Sequence, residues 1–304
     1  MSSQSSAITV LAPAKVNLSL TIVRRRDDGY HELDSEFLAI SLHDRLVLQP
    51  ASDRSERSDG VRNARCGDRL TLTGPAATPD IPTDEGNLVL RMLAAWREHT
   101  QWPAALQVEL HKAIPSRAGL GGGSSDAVAA LVAAERLREQ TTGQRLPPAD
   151  CERLCAQLGS DLNFFLAVQR LGVSRARCRG RGELVEPLPS QPWWGVVAIP
   201  PLALATPAVF AHRADRNDWP HATNDLQPIA ESLEPQLLAA RRQLEVASHT
   251  SWVLSGSGSA LFTSCRTAGQ RERLLELLRE SCDDVNRFTL VAVEEWRGDH
   301  VSPR

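Results

Sequence analysis

The chain has 304 residues, 42% of them hydrophobic and 23% charged, so it is long enough for two domains that each bury a core. A net charge of −3 at pH 7 argues against general binding to nucleic acid or to an anionic membrane surface. The longest apolar run, from 195 to 210, is interrupted by prolines and is not expected to span a membrane.

The six cysteines form neither a CxxC pair nor a cluster with histidine, so they indicate no metal site. Cys151 and Cys155 are spaced i,i+4 on a predicted helix, which is more typical of a core than of ligands. The N-terminus shows no basic segment followed by a long apolar run, so no signal peptide is expected. Together these features favour a reducing, cytoplasmic location.

The first predicted strand runs from 13 to 23, where apolar and polar residues alternate. Lys15 and Asn17 fall on the polar face and therefore point the same way. A lysine in mid-strand is usually a solvated charge at a sheet edge, and this is the simpler interpretation of Lys15 taken alone.

A turn over 24–29 is followed by Tyr30 and His31, and Tyr30 is the one tyrosine in the chain. One interpretation is ordinary packing beside a hairpin turn. The functional alternative is that Tyr30 offers an aromatic face, and His31 a hydrogen-bonding edge, to a ring-shaped ligand group.

Three further segments precede the glycine-rich part of the chain. Residues 37–48 suggest a strand pair, and the polar stretch 51–68 suggests an exposed loop. Residues 87–99 are predicted to form a helix with an apolar face, and Asn87 is best interpreted as a helix cap.

A predicted strand at 106–110 leads into the glycine-rich segment 114–126, which is followed by an apolar helix from Ala127. Ser124 or Ser125 is the expected N-cap of that helix. Glycines let backbone N–H groups crowd around an anion, and the helix dipole adds positive potential, so this layout favours phosphate binding.

Other interpretations of the glycine-rich segment are weaker. No Gly-Lys-Ser/Thr is present, so the segment is not a Walker A loop, and the dinucleotide-binding pattern would need a third glycine where Ser124 stands. A flexible Gly/Ser linker is the remaining alternative, but linkers seldom lie between a strand and a strongly apolar helix.

Asp161 follows a predicted helix that begins near Pro148 and ends near Gly159. It is interpretable as the N-cap of the next helix. The functional alternative is a carboxylate held at a cleft wall, acting as a general base or as a ligand for a cation.

The tract 175–181 places arginine at every second position. An RNA-binding segment is the rival interpretation, but the tract is short and the net charge of the chain is negative. A charged rim on a strand or turn, near a phosphate site, is the preferred interpretation.

Helices alternate with short strands in the C-terminal third, which predicts an α+β layer arrangement. Strands are expected at 193–199, 251–254, 260–264 and 288–294, with helices at 226–246 and 270–279. The segment 255–259 is a second glycine-rich turn. It is either a plain hairpin or a set of backbone donors that faces the first glycine loop and completes a phosphate pocket.

Three motifs, at 13–18, 115–125 and 254–259, occur in an order that resembles the GHMP kinase superfamily. Further signatures at 28–33, 180–183 and 224–226 resemble one branch of it, whose substrate is a cytidine diphosphate-linked methylerythritol of the non-mevalonate isoprenoid pathway. The resemblance covers about 12 to 293.

The resemblance implies a two-domain α+β fold. The N-terminal domain, assigned to 8–170, would be like ribosomal protein S5 domain 2, and the C-terminal domain, assigned to 171–304, would be ferredoxin-like. The implied activity is phosphorylation by ATP of the 2-hydroxyl of the methylerythritol unit, with Mg²⁺ as cofactor.

The resemblance also implies roles for individual residues. Lys15 and Asp161 match the catalytic pair, and Ser125 is the candidate ligand of Mg²⁺. The implied substrate-binding residues are Asn17, Tyr30, His31, Phe210, Gly256 and Ser257, with Phe210 stacking on the cytosine ring opposite Tyr30 and His31. The implied ATP-binding residues are Pro115, Ser116, Arg117, Ala118, Gly119, Leu120, Gly121, Gly122, Gly123, Ser124 and Ser125.

Two residues depart from the pattern. Arg117 stands where the superfamily usually has a small residue or glycine, and Asn163 replaces the usual proline after the catalytic aspartate. The alternatives left open are another small-molecule kinase, of mevalonate or homoserine type, and a non-catalytic ATP-binding sensor. The expected partner is a small-molecule substrate, not nucleic acid or membrane, and the sequence leaves monomer and homodimer open.

Overall fold

The computed structural model describes residues 7–51, 67–214, 222–281 and 288–298. These residues form two compact units. The first unit holds the described residues within 7–14, 43–116 and 122–171, and the second holds those within 15–42, 117–121 and 172–298. Neither unit is one continuous stretch, and the division predicted at 170/171 stays a prediction.

Two long strands, β1 (Ile8–Arg25) and β2 (His31–Pro50), pair with each other and run through both units. The strand pair expected over 37–48 is wrong, because β2 is one strand of 20 residues. A strand pair would need a turn within this range, for example at the polar residues His43 and Asp44. Asp44 is instead buried, and its carboxylate accepts hydrogen bonds from the backbone of 113 and 114, so the strand continues through it.

The first unit contains all four helices that the structure describes before residue 172. Its complete elements are β3 (Arg69–Thr73), α1 (Leu88–Thr100), β4 (Leu106–His111), α2 (Gly122–Thr142), α3 (Pro148–Leu158) and α4 (Leu162–Leu171). Strand β4 pairs in parallel with β3 and antiparallel with the second half of β2, in the register Arg45↔His111 to Pro50↔Leu106.

Helix α2 is the centre of this unit and packs against both α1 and α4. Every residue from 127 to 134 is buried, as is expected for a helix that is apolar on all sides. The helix begins at Gly122, so the prediction that Ser124 or Ser125 is its N-cap is wrong. Gly122 packs closely against Ile114 at this start, since a Cβ on Gly122 would lie 2.9 Å from Ile114 Cγ2.

The second unit contains two groups of strands. Its complete elements are β5 (Arg175–Gly180), β6 (Leu184–Pro187), β7 (Trp194–Ile199), α5 (Thr206–Ala214), α6 (Gln227–Leu233), α7 (Pro235–Ser248), β8 (Val253–Leu254), β9 (Leu261–Cys265), α8 (Ala268–Ser281) and β10 (Thr289–Glu294). The first half of β2 pairs with β5, which pairs with β6. The other sheet has the antiparallel order β10-β7-β9-β8.

The predicted α+β character of the C-terminal third is confirmed, because helices α6 to α8 accompany this four-stranded sheet. The helix predicted over 226–246 is divided into α6 and α7 at Pro235, since a proline disfavours helical backbone in the residue before it. Trp252, Leu244 and Leu278 are among the buried side chains of the core between them.

The exposed loop predicted at 51–68 lies largely outside the described residues. Asp68, at its end, is fully buried and does not fit that prediction. Among the helices that the structure describes, none has both the length and the apolar composition needed to cross a membrane.

Candidate active site

Lys15 lies on β1 with only 4% of its surface exposed, so its interpretation as a solvated edge charge is wrong. Its Nζ donates to Asn17 Oδ1 at 2.7 Å, and Asn17 Nδ2 donates to Ser35 Oγ at 2.9 Å. The ammonium also lies 5.0 Å from the centroid of the Phe37 ring. The two polar residues on one strand face therefore form a buried, ordered hydrogen-bonded chain.

Within the second unit, the part of the glycine loop from 117 to 121 lies beside Lys15. The Lys15 amide donates to the Leu120 carbonyl at 3.0 Å. Gly119 has φ +75, and a Cβ there would lie 2.1 Å from the Ser255 carbonyl oxygen. Only glycine fits this close approach.

The second glycine-rich turn joins the same cluster. Ser255 Oγ donates to the Gly119 carbonyl at 3.0 Å, and the Ala260 amide donates to the Ala118 carbonyl at 3.0 Å. A Cβ on Gly256 would lie 3.2 Å from Lys15 Nζ. The structure thus brings the segment 255–259 to both Lys15 and the first glycine loop, as its functional interpretation requires, while its role in binding stays a prediction.

The signature at 224–226 explains how this turn is held. Asn224 is fully buried, and its Nδ2 donates to the carbonyls of Leu254 and Gly256, both at 2.7 Å. Asp225 Oδ2 accepts from the Ile22 amide on β1 at 2.9 Å. The signature therefore fixes the turn and β1 together. The predicted site residue Ser257 is held separately, by a 2.7 Å hydrogen bond between its hydroxyl and that of Thr206.

Three buried charges in the first unit were missed by the sequence analysis. Lys112 Nζ makes ion pairs with Asp44, and with Asp126 Oδ2 at 2.6 Å. Burial raises the pKa of Asp126; the charge of Lys112 opposes the rise and that of Asp44 adds to it. Burial alone would lower the pKa of Lys112, but the two carboxylates outweigh it and raise that pKa. Because Asp44 is 68 residues from Lys112, no sequence pattern joins them.

Arg117 enters the loop with φ +55, a left-handed conformation that favours glycine. This explains in physical terms why an arginine is an unusual residue at this position. The Arg117 side chain is exposed.

Asp161 lies in the first unit, immediately before α4, and is half-buried. Its backbone carbonyl accepts from the Phe165 amide at 3.3 Å, which places it at the N-cap of that helix. Asn163 lies in the first turn of α4, so its replacement of a proline does not prevent the helix. Lys15 belongs to the other unit, and the convergence of Lys15 with Asp161 stays a prediction.

The two predicted aromatic contacts differ in exposure. Tyr30 is 54% exposed, with the Arg181 guanidinium 5.1 Å from its ring centroid. His31 is buried, and its ring stacks on Phe210 with centroids 5.4 Å apart. Phe210 therefore lies against His31 itself, and the expected stacking of Phe210 on the cytosine ring stays a prediction.

The arginine tract alternates exposed and buried positions along β5, as the pattern predicts. Arg175 pairs with Glu36, Arg177 with Asp34, and Arg179 with Glu186. Hydrogen bonding to Arg177 lowers the pKa of Asp34. The tract is thus matched by carboxylates, which fits a role in joining strands.

Ser125 Oγ is buried and has no hydrogen-bond partner among the described residues. Across the described part of the chain, no group of three or more His, Cys, Asp or Glu side chains could hold a metal ion.

Comparison with known proteins agrees with this arrangement. Residues 87–166 match the family model of the GHMP kinases N terminal domain. The chain is 33% identical over 278 residues to a 4-diphosphocytidyl-2-C-methyl-D-erythritol kinase of Protochlamydia amoebophila, covering 87% of this chain and 86% of the relative. It is 35% identical over 288 residues to a protein of the same name from Thermus thermophilus, covering 88% and 92%.

The fold is also similar to that of a solved structure. The crystal structure of 4-(cytidine 5'-diphospho)-2C-methyl-D-erythritol kinase matches with a TM-score of 0.70 and 31% identity, over 95% of this chain and 100% of that chain. The expected α+β GHMP kinase fold is thereby confirmed. Because these relatives align over most of its length, the chain belongs to the 4-diphosphocytidyl-2-C-methyl-D-erythritol kinase family of the GHMP kinase superfamily.

Proposed function

We propose that the protein transfers the γ-phosphoryl group of ATP to the 2-hydroxyl of 4-diphosphocytidyl-2-C-methyl-D-erythritol, a step of non-mevalonate isoprenoid precursor biosynthesis. The observation that carries the proposal is the buried Lys15, whose backbone amide donates to the Leu120 carbonyl of the first glycine-rich segment and whose ammonium lies beside Gly256 of the second. Relatives named for this kinase align over most of the chain, which supports the choice of substrate.

The phosphates of ATP would bind to the segment 115–125. Its glycines expose backbone amides, and its last residues form the first turn of α2, whose dipole favours an anion. This segment supplies no lysine of the Walker type, and we assign the role of the cation at the transferred group to Lys15, from a distant part of the chain.

Lys15 and Asp161 would act on the reacting atoms. Asp161 accepts the proton of the substrate hydroxyl, whose oxygen forms the new bond to the γ-phosphorus while the bond from that phosphorus to ADP breaks. Lys15 stabilises the negative charge that develops on the transferred group. Asn17 holds the ammonium in place, because Asn17 Oδ1 accepts a hydrogen bond from Lys15 Nζ at 2.7 Å.

The residues present fit a magnesium ion at the start of α2. Ser125 Oγ is a buried oxygen without a hydrogen-bond partner among the described residues, and Mg²⁺ prefers oxygen ligands together with substrate phosphates. When bound, Mg²⁺ neutralises charge on the phosphate oxygens. Ser125 is the residue we assign to it.

The cytidine would bind at Tyr30 and His31. Tyr30 is 54% exposed, which supports stacking of the pyrimidine on its ring, and we assign hydrogen bonding with the base to His31, whose ring stacks on Phe210. Gly256 and Ser257 would contact the substrate from the second glycine-rich turn.

Two broader assignments accompany this function. We place the domain division at 8–170 and 171–304, at the end of α4, and the enzyme in the cytoplasm. The location is supported by Cys151, Cys155, Cys178 and Cys265, which are buried and form no disulfide.

The experiment that tests the function compares ADP release from MgATP with three acceptor alcohols: 4-diphosphocytidyl-2-C-methyl-D-erythritol, mevalonate and homoserine. We expect release with the first alone and a phosphate ester on its 2-hydroxyl, identified by NMR. Turnover of mevalonate or homoserine instead would contradict the proposal. ATP binding without turnover of any of the three would favour the sensor alternative.

A further inference from the structure

The three buried charges of the first unit lie beside the phosphate-binding segment but outside the proposed catalytic residues. The side chains of Asp44, Lys112 and Asp126 are 0%, 5% and 4% exposed. Burying an ion pair costs desolvation, and apolar residues of similar volume are often as stable or more so. Stability alone therefore does not explain why three charged residues are buried here. A better explanation is that they orient the backbone at the two ends of the segment.

Asp44 holds the entry of the segment. Its Oδ1 accepts from the amide of Ala113 at 2.5 Å and from that of Ile114 at 2.9 Å. These two residues immediately precede Pro115, where the predicted ATP-binding residues begin. One carboxylate oxygen thus fixes two consecutive peptide groups as the chain leaves β4.

Lys112 and Asp126 fix the C-terminal end of the segment, where it joins α2. Asp126 lies in the first turns of α2, and its Oδ2 accepts from Lys112 Nζ at 2.6 Å. The same Nζ lies 3.4 Å from the position of a Cβ on Gly122, the first residue of α2. The ammonium therefore lies at the start of the helix while also pairing with Asp44 at the entry.

We propose that Asp44, Lys112 and Asp126 are positioning residues that fix both ends of the phosphate-binding segment, so that its amides meet the ATP phosphates in a single conformation. This inference rests on the proposed function in one respect, that the segment binds ATP. A binding loop held in its bound conformation gains affinity because less conformational entropy is lost on binding. The network should accordingly act on ATP affinity more than on the chemical step.

The opposite end of β4 offers a matched control. Asp68 is also fully buried and accepts from Arg97 Nη2 at 2.6 Å and from the Leu106 amide at 2.7 Å. Leu106 begins the strand and Lys112 follows its end, about 20 Å away at the usual rise of a strand. Asp68 and Asp44 each pair with a cation of the first unit, Arg97 and Lys112 respectively. Only the cluster of Asp44, Lys112 and Asp126 adjoins the proposed ATP-binding segment.

The test measures the ATP dissociation constant calorimetrically, and KM and kcat in the kinase assay, for Asp126→Leu, Asp126→Asn and Asp68→Leu. In Asp126→Leu the charge of Lys112 is still compensated by Asp44, so the variant is expected to fold. The end of the segment that joins α2 is then no longer fixed by Asp126. We expect ATP affinity to fall at least tenfold with kcat at saturating ATP within threefold. Asp126→Asn keeps an acceptor for Lys112 and should recover most of the affinity. Asp68→Leu should lower the melting temperature yet leave ATP affinity within twofold.

Equal ATP affinities of Asp126→Leu and the wild type would overturn the inference, as would equal losses in Asp126→Leu and Asp68→Leu. Hydrogen exchange on the wild type is a second test that needs no variant. The amides of Ala113 and Ile114 should be protected before ATP is added, and protection that arises only with ATP would also reject the inference.

The two proposals fail separately. If the wild type binds ATP but does not phosphorylate the cytidylylated substrate, the proposed function fails while the affinity comparison still decides the role of the triad. If the wild type binds no ATP, both are rejected.

Discussion

At the scale of single residues, the glycine loop depends on one position without a side chain. Gly119 combines a positive φ with a carbonyl 2.1 Å from any added Cβ, whereas nothing lies within 4 Å of a Cβ on Gly123. Gly119→Ala should therefore shift the loop and weaken ATP binding at least tenfold, about 1.4 kcal/mol. Calorimetric titration with ATP measures this change.

Gly123→Ala is the matched control for folding. Gly123 lies in α2 and the added methyl meets no neighbour, so the melting temperature of Gly123→Ala should equal or exceed that of the wild type. Its free energy of unfolding should rise by up to about 1 kcal/mol. Unchanged ATP affinity in Gly119→Ala would show that the close approach to Ser255 does not matter for the nucleotide.

The pyrimidine assignment is tested at His31. His31→Ala should raise KM for the cytidylylated substrate about tenfold or more while KM for ATP changes less than threefold, because the proposal assigns His31 to the cytosine and not to ATP. Steady-state kinetics with each substrate varied in turn separates the two. Similar increases for both substrates would mean that the change disturbs the fold around Phe210 rather than a base contact.

A buried thiol gives a prediction for pH. Burial raises the pKa of Cys155 to about 12, with Cys151 adding to the rise, whereas the usual value is 9.0. The folded thiol keeps its proton where the unfolded one loses it, so Cys155 contributes a fall in the free energy of unfolding as pH rises above 9. At pH 8 iodoacetamide should modify Cys155 in urea but not in the native protein, as read by mass spectrometry. Labelling at the same rate in both states would contradict this.

Residue environments were the part least predictable from sequence. The strand pattern predicted correctly that Lys15 and Asn17 lie on one face of β1, but it did not predict that Lys15 is buried. That burial depends on Phe37 and on residues of the two glycine-rich segments. The cluster of Asp44, Lys112 and Asp126 was not predicted, because its residues come from different elements. Alternation and spacing report which face a residue occupies, not what covers that face.

At the scale of elements, α1 illustrates a start that the sequence predicts correctly. Asn87 Oδ1 accepts from the Val89 amide at 2.9 Å, and Asn87 Nδ2 donates to the Pro82 carbonyl at 2.6 Å. Asn87→Ala should lower the free energy of unfolding by about 1 kcal/mol, as other caps do, in denaturant titrations. Asn87→Ser retains a capping oxygen and should lose less. Equal losses in the two variants would assign the effect to the Pro82 contact instead.

Two element boundaries show why local patterns fail. The glycine-rich pattern places Gly122 and Gly123 in a loop, yet both belong to α2, and Gly122 packs closely against Ile114. Asp44 lies within the range predicted to be a strand pair, yet it is buried in one continuous strand and its carboxylate accepts from the 113–114 backbone. In each case a tertiary contact outweighs the local preference, and each contact lies beside the phosphate-binding segment.

At the scale of the whole molecule, the proposed reaction needs groups from separate parts of the chain. Lys15 and the segment 117–121 belong to one compact unit, and Asp161 and the start of α2 belong to the other. The sequence could suggest this combination only through resemblance to a known superfamily, because no spacing rule relates residues 15 and 161. The proposed mechanism requires both units to act on one hydroxyl.

The most direct measurement of this claim is the kcat of Asp161→Asn, with the ATP dissociation constant measured on the same preparation. Asparagine is as good an N-cap as aspartate, so α4 and the fold should be retained while the proton acceptor is lost. We predict a kcat lower by about a hundredfold or more, with ATP affinity within twofold of the wild type. A kcat within a few-fold of the wild type would contradict Asp161 as the base and, with it, the proposed mechanism.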